Sequence, residues 1–328
     1  MSFKKFLKEN SFFIVSVLVI TLLFYIKLPY YVNAPGGIIN INNRIVYEDK
    51  KEFNGSLNML YVKEYEASIP TYLMSYILSD WDLESINESR ISNETTSEIE
   101  YRNKIMLENS SNNAKLVAYK EAGKEIEVLS KKTVVIGTIL DNGLKIGDEI
   151  LEVENQKVED VNTIKNIIVK ASVGDTLNFK IKRNSKEKSI DVLIREQDND
   201  KVIGVVIVTN YEYKTTPELK LKFKKSESGA SGGMMMALSI YCALSDKDLI
   251  KGRNIAGTGT IDEDGTVGEI DGIKYKVIGA YRNGMDVILV PSDNYKEAIQ
   301  VVKKKKYDIE IVEVKTLRDA INYLEKTK

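Results

Sequence analysis

Histidine is absent from all 328 residues, and cysteine occurs once, at Cys242. The first absence removes the usual general base of a hydroxyl nucleophile. Together the two remove the usual zinc sites, and a lone cysteine excludes an intrachain disulfide. Carboxylates alone could still hold a metal, but no calcium-loop spacing occurs, and no GxxxxGK[ST] stretch offers a nucleotide-phosphate loop. Neither sign of charge is in surplus: 47 basic against 48 acidic side chains leave −1, which does not point to nucleic acid. The expectation is a chain without cofactor, metal or nucleic-acid partner.

Charge is also missing locally. From Asn10 to Ile26 no residue is charged, and FFIVSVLVITLLFYI is almost wholly apolar. Crossing a hydrocarbon core takes about 20 residues, a length reached if Leu28, Tyr30 and Tyr31 are counted with the run. Tyrosines suit the interface there, and Lys27 can snorkel. Lys4, Lys5 and Lys8 precede the run, so the positive-inside rule puts the N-terminus in the cytoplasm. Residues 1–30 are therefore expected to be a cytoplasmic stub and a transmembrane anchor, with everything later outside the cytoplasm. A cleaved signal peptide is the alternative. Val32-Asn33-Ala34 has small residues at suitable spacing, but Pro35 would follow the cut.

Residues 35 to 79 read as strands plus one helix, through IININNRIVYE and SLNMLYV. Glu84 to Asn113 is polar, with Asn-x-Ser/Thr triplets at Asn87 and Asn93 that read as chance in an asparagine-rich chain. AKLVAYKEAGKEI then turns amphipathic. From about Glu127 a β-rich unit follows: TVVIGTIL, NGLKIGDEILEVENQKV, a helical DVNTIKNIIVKA, and two strands around a polar turn in VGDTLNFKIKRNSKEKSIDVLI. Gly143-Leu144-Lys145-Ile146-Gly147-Asp148-Glu149-Ile150-Leu151 resembles the central signature of PDZ domains. That resemblance implies a peptide-docking or regulatory module. Its carboxylate-binding loop would fall near Ser130–Thr133, where SKKT lacks the glycine-rich form.

After Val202 the chain reads strand, helix, strand, with NIAGTGTIDEDGTVGEI as a hairpin. Ser231 sits in Gly229-Ala230-Ser231-Gly232-Gly233, directly before GMMMALSIYCAL, a helix buried nearly all round. Glycines let backbone approach a reacting group, and free helix N–H groups favour an oxyanion. A nucleophilic serine and a plain helix cap both fit this stretch. Without histidine, a lysine with lowered pKa is the base that remains. Lys274 and Lys276 open a mostly apolar helix about 200° apart, and helix geometry does not choose between them.

GASGGMMMAL, AGTGTIDEDGTVGEIDGIKYKVIGAYRNG and VILVPSDN resemble the proteolytic domain of Lon-type Ser–Lys proteases. With the N-terminal run and the PDZ-like unit, nearly the whole chain resembles the membrane-anchored PDZ–Lon-like proteases of Gram-positive bacteria. The resemblance implies Ser231 as nucleophile, Lys276 as base, and Thr258 as the hydroxyl that orients the lysine. Backbone around Gly229, Ala230 and Gly232 would hold the oxyanion. Where the family has proline and alanine around the serine, this chain has Ala230 and Gly232, which reads as a looser turn. MLENSSNNAKLVAYKEAG also resembles a helix of Lon proteolytic domains.

The expected architecture is therefore α+β: a transmembrane helix and a Lon-type proteolytic domain. Residues 35–125 and 198–328 would form one catalytic unit around a PDZ-like insertion at 126–197. The expected function is ATP-independent serine endopeptidase action on extracytoplasmic peptides or exposed protein segments at the cell membrane, with homo-oligomers possible. A membrane-tethered peptide-binding scaffold with an inactive protease-like domain is the alternative.

Overall fold

The structure is a computed structural model that describes residues 8–47, 54–86, 94–245 and 247–327. Lys4, Lys5, the triplet at Asn87 and Asn93 itself lie outside the described residues.

The apolar run forms α1 (Ser11–Tyr25), 15 residues in length. At 1.5 Å per residue that is about 22 Å, against a hydrocarbon core of about 30 Å. Leu28, Tyr30 and Tyr31, counted above toward a span, lie instead in strand β1 (Lys27–Asn40). Pro29 cannot continue a helix, and the Tyr-Tyr-Val run that follows favours a strand. Among the described residues, no helix is long and apolar enough to cross a membrane.

After a 3₁₀ turn (Ile41–Arg44) come β2 (Ile45–Tyr47), β3 (Ser56–Ser68), α2 (Ile69–Ser75), β4 (Asp82–Ser85) and the long α3 (Thr96–Glu121). A capping box at Thr95 and Glu98 starts α3. β1 pairs antiparallel with both β3 and β4.

The β-rich unit follows: β5 (Glu125–Thr138), β6 (Glu149–Val153), β7 (Gln156–Lys157), α4 (Val161–Lys170), β8 (Thr176–Arg183) and β9 (Lys186–Leu193). A small ribbon of β10 (Arg195–Gln197) and β11 (Asp200–Val202) leads to β12 (Val205–Thr216). The sheet runs β12-β5-β6-β8-β9, so its edge strand comes from beyond residue 198. Ser130–Thr133 do not form a loop; they lie inside β5 and pair with β12 from Glu212 back to Thr209. Alternating apolar residues bury one face of this sheet under α4, with Phe179, Ile181 and Ile164 in its centre. Asp148 of the glycine-aspartate turn is buried and takes two bonds from Arg183, each 2.6 Å, while Arg183 also reaches the Gly143 carbonyl. This two-pronged pair pins the turn.

The remaining elements are β13 (Leu219–Leu221), α5 (Gly233–Leu244), β14 (Asn254–Gly257), α6 (Ile273–Arg282), β15 (Val287–Pro291), α7 (Ser292–Lys305), β16 (Glu310–Val314) and α8 (Leu317–Lys326). A six-stranded sheet runs β16-β15-β14-β3-β1-β4, so strands from residues 27–85 share it with strands from 254–314. Of the hairpin expected in residues 254–270 only a tight turn forms, with Thr260 and Asp262 N–H donating across it to the Gly268 and Thr266 carbonyls, and no strand pair is built within the stretch. β14 is instead a central strand, parallel to both β3 and β15. Its Ile255 and Ala256 are buried on opposite faces, as a covered parallel strand requires. Helices α5 and α8 cover one face of the sheet, and α6 and α7 the other. Every residue of α5 is buried, which accounts for its almost wholly apolar sequence; Ser239, the exception, donates to Asn42 Oδ1 at 2.8 Å.

Candidate active site

Glycines decide how closely the elements of the site approach. Gly279 of α6 packs on Gly36 and Gly37 of β1; a Cβ on Gly279 would stand 3.3 Å from Gly36 backbone. A Cβ on Gly36 would stand 2.0 Å from the Tyr61 carbonyl oxygen. Helix α6 is thereby seated low on the sheet, and Lys276, one turn before Gly279, points into the interior.

The serine turn is held from two sides. Gly229 has φ +89°, a conformation glycine adopts without strain, and its N–H donates to the Asn103 carbonyl at 2.9 Å. Ser110 Oγ donates to the Ala230 carbonyl at 3.0 Å. Asn103 and Ser110 lie two turns apart on α3, so one helix face grips the turn. From the other side, the Ser231 carbonyl accepts from Gly259 N–H at 2.8 Å and from Thr258 Oγ1 at 3.0 Å. Gly232 is not the loosening element its sequence suggested. A Cβ there would come within 1.9 Å of Met59 Sδ, so the glycine is a point of close packing.

Gly232, not Ser231, is the N-cap residue of α5, and no side chain caps that helix. Among the described residues nothing hydrogen-bonds the Ser231 hydroxyl. The N–H groups of Ala230, Ser231 and Gly232 likewise donate to no carbonyl of the described residues. A hydroxyl beside unspent N–H donors at a helix N-terminus is an arrangement able to hold an oxyanion.

The two lysines are sharply unlike. Lys274 forms an ion pair with Asp82 at the surface. Lys276 is only 3% exposed and donates to Thr258 Oγ1 at 3.1 Å. Burial pushes its amine down to about 8, and nearby Asp271 works weakly against that shift. Ser231 and Lys276 line the same cavity of about 680 Å³, together with Arg102, Asp271 and Tyr61. A second cavity of about 610 Å³ reaches Ser231 from the other side, past Met59, Arg44 and Gly232. Ser231 thus stands between two hollows that flank β3. The structure brings Ser231, Thr258, Lys276, Gly229, Ala230 and Gly232 together. Asp271, Asn103 and Ser110 were not foreseen. The seven-residue spacing of the last two was their only sequence signal. Among the described residues, no His/Cys/Asp/Glu group could hold a metal ion.

Comparison with known proteins agrees with both units. Residues 223–326 match the Lon protease (S16) C-terminal proteolytic domain, and residues 121–194 match the PDZ domain. The chain is 34% identical over 118 residues to Lon protease 2 of Borreliella burgdorferi, covering 35% of this chain and 15% of that protein. It is 40% identical over 77 residues to the Lon protease of Clostridium acetobutylicum, covering 24% of this chain and 10% of that protein. The chain therefore spans only a small part of these relatives. The PDZ domain of an SdrC-like protein from Listeria monocytogenes is 22% identical, with a TM-score of 0.24, over 25% of this chain and 93% of that one.

Proposed function

We propose that the chain is a serine endopeptidase in which Ser231 is the nucleophile and Lys276 its base. The observation that carries this reading is a buried amine with lowered pKa, hydrogen-bonded to Thr258, in one cavity with the unpartnered Ser231 hydroxyl. Neutral Lys276 takes the Ser231 Oγ proton as the oxygen attacks a peptide carbonyl. The oxyanion is met by N–H groups at Ala230–Gly232. Lys276 then returns the proton to the departing amine, and the acyl-enzyme is hydrolysed by water activated on the same amine.

ATP-independent action on peptides or exposed, flexible segments belongs to this proposal, supported by the lack of a GxxxxGK[ST] stretch in these 328 residues. Catalysis is assigned to residues 35–125 with 198–328, and peptide docking to the PDZ-like unit between them. Membrane association through α1 is supported by its exposed Phe12, Phe13, Leu18 and Leu22. The adjoining α2 and the turn that follows it add exposed Leu73, Tyr76 and Ile77. The test is labelling of the purified chain by a fluorophosphonate probe, alongside peptide cleavage. Both are expected to vanish in Ser231→Ala; cleavage at the wild-type rate would overturn the assignment.

A further inference from the structure

A third cavity, of about 620 Å³, lies where the two units meet, between α3 and the β5–β12 ribbon. Five lysines line it: Lys104 and Lys115 from α3, Lys132 from β5, and Lys224 and Lys225 from the segment leading to the serine turn. Among the described residues none of the five forms an ion pair, although lysines elsewhere in the chain do. Three glutamates also face the cavity, and two are engaged. Glu227 pairs with Arg44 and takes the Lys224 N–H, and Glu212 accepts from Ser130 Oγ at 2.9 Å. Glu108 is the third. Five cations against three carboxylates leave a positive surplus, and Lys115, half-buried among them, has its pKa lowered mainly by that burial.

The rest of the lining mixes apolar side chains with Ser111, Asn112, Ser130 and Asn210. Leu107, Leu221 and Phe223 form part of the lining, with Tyr211 beside them. The cavity also runs into the cleft, because Leu107, Lys224 and Glu227 line both this hollow and the one that reaches Ser231.

We propose that this inter-unit cavity is an exosite for an acidic, apolar-anchored segment of the peptide substrate. The substrate's carboxylates answer the unpaired lysines, and its apolar side chain packs on Leu221 and Phe223. The assignment rests on the protease reading only in calling the ligand a substrate. Its cations come from both units, so a chain bound here bridges them and extends toward the serine turn.

The test is isothermal titration calorimetry on the full-length Ser231→Ala protein, which binds without turning over. The probe is a capped hexapeptide of alternating glutamate and leucine, with its glutamine–leucine counterpart as control. The acidic peptide should bind about tenfold more tightly than the control and lose that advantage at high salt. Lys115→Gln with Lys224→Gln should remove most of the difference, whereas Lys188→Gln on β9 should leave it unchanged. Equal affinity for the two peptides would overturn the proposal, as would indifference to the double substitution. Inorganic phosphate binding alone and displacing the peptide at comparable concentration would make this a phosphate site and overturn it too. An inactive wild-type enzyme that still discriminates the peptides would sink the protease reading and leave the exosite standing; active enzyme without discrimination would do the reverse.

Discussion

Lys276 and Ser231 are joined through one hydroxyl: Thr258 Oγ1 accepts from Lys276 Nζ at 3.1 Å and donates to the Ser231 carbonyl at 3.0 Å. A threonine hydroxyl has a single proton, and here it is committed to Ser231. Only lone pairs are left to face the amine, so the lysine head and the serine backbone are registered against the same oxygen.

Removing that oxygen tests the registration. Thr258→Val should lower kcat about tenfold or more, as expected when a buried amine loses its partner. Thr258→Ser, which keeps the hydroxyl, should recover most of the rate. Equal rates for valine and serine variants would make the hydroxyl irrelevant.

The two lysines should separate cleanly in kinetics. Lys276→Met should reduce kcat by about 10²- to 10⁴-fold, the range for loss of a general base. Lys274→Met loses a surface ion pair with Asp82 and should stay within about threefold of wild type. Steady-state rates on one peptide decide it.

Activity should rise with pH through about 8, because the base works only when deprotonated and burial lowers its pKa to that value. Asp271 favours the charged amine, so Asp271→Asn should move the rising limb to lower pH. A shift to higher pH, with chemistry rate-limiting, would contradict the assigned geometry.

Gly36→Ala drives a methyl against the Tyr61 carbonyl, which no rotamer change relieves. We expect about 1–3 kcal/mol of destabilisation in urea unfolding, typical of overpacking. Activity should fall further than stability explains, because α6 and Lys276 are displaced together.

The β-rich unit should be separable. Glu125 and Thr216 are register partners at the ends of β5 and β12, so a short Gly/Ser linker can join Lys124 to Pro217. A chain lacking residues 125–216 should fold and cleave short peptides. Loss of folding, seen by circular dichroism, would show that the catalytic unit depends on the excised ribbon.

The sequence disclosed groups but not distances. Glycines around Ser231 announced a tight turn, since few other residues adopt φ +89° as Gly229 does. Helix geometry alone could not choose between Lys274 and Lys276, though the resemblance implied Lys276, because the choice depends on where β1 and Asp82 lie relative to α6. Residues 254–270 look like a hairpin by their Gly-rich turns, yet β14 finds its partners in β3 and β15, distant in sequence. The PDZ resemblance puts a carboxylate-binding loop at Ser130–Thr133, but these residues instead form the polar side of a half-exposed ribbon. Likewise the stretch through Leu28 to Tyr31 is apolar enough for a helix, and only its pairing with β3 and β4 shows a strand.

The central sheet is sewn from two distant stretches of chain, and this sets an order on synthesis. As the polypeptide emerges, β1, β3 and β4 can pair with one another but find no neighbour beyond β3. The β5–β12 unit closes next from contiguous sequence, with short loops and little closure entropy. Ser231 then appears without its lysine, and β14 must travel back past the finished unit to reach β3. Helix α6, which follows β14, then finds its floor on β1 and β3. On the proposed Ser231–Lys276 mechanism, peptidase competence is therefore gained late, when most of the chain has left the ribosome, and a nascent or prematurely ended chain carries the serine without the lysine proposed to activate it.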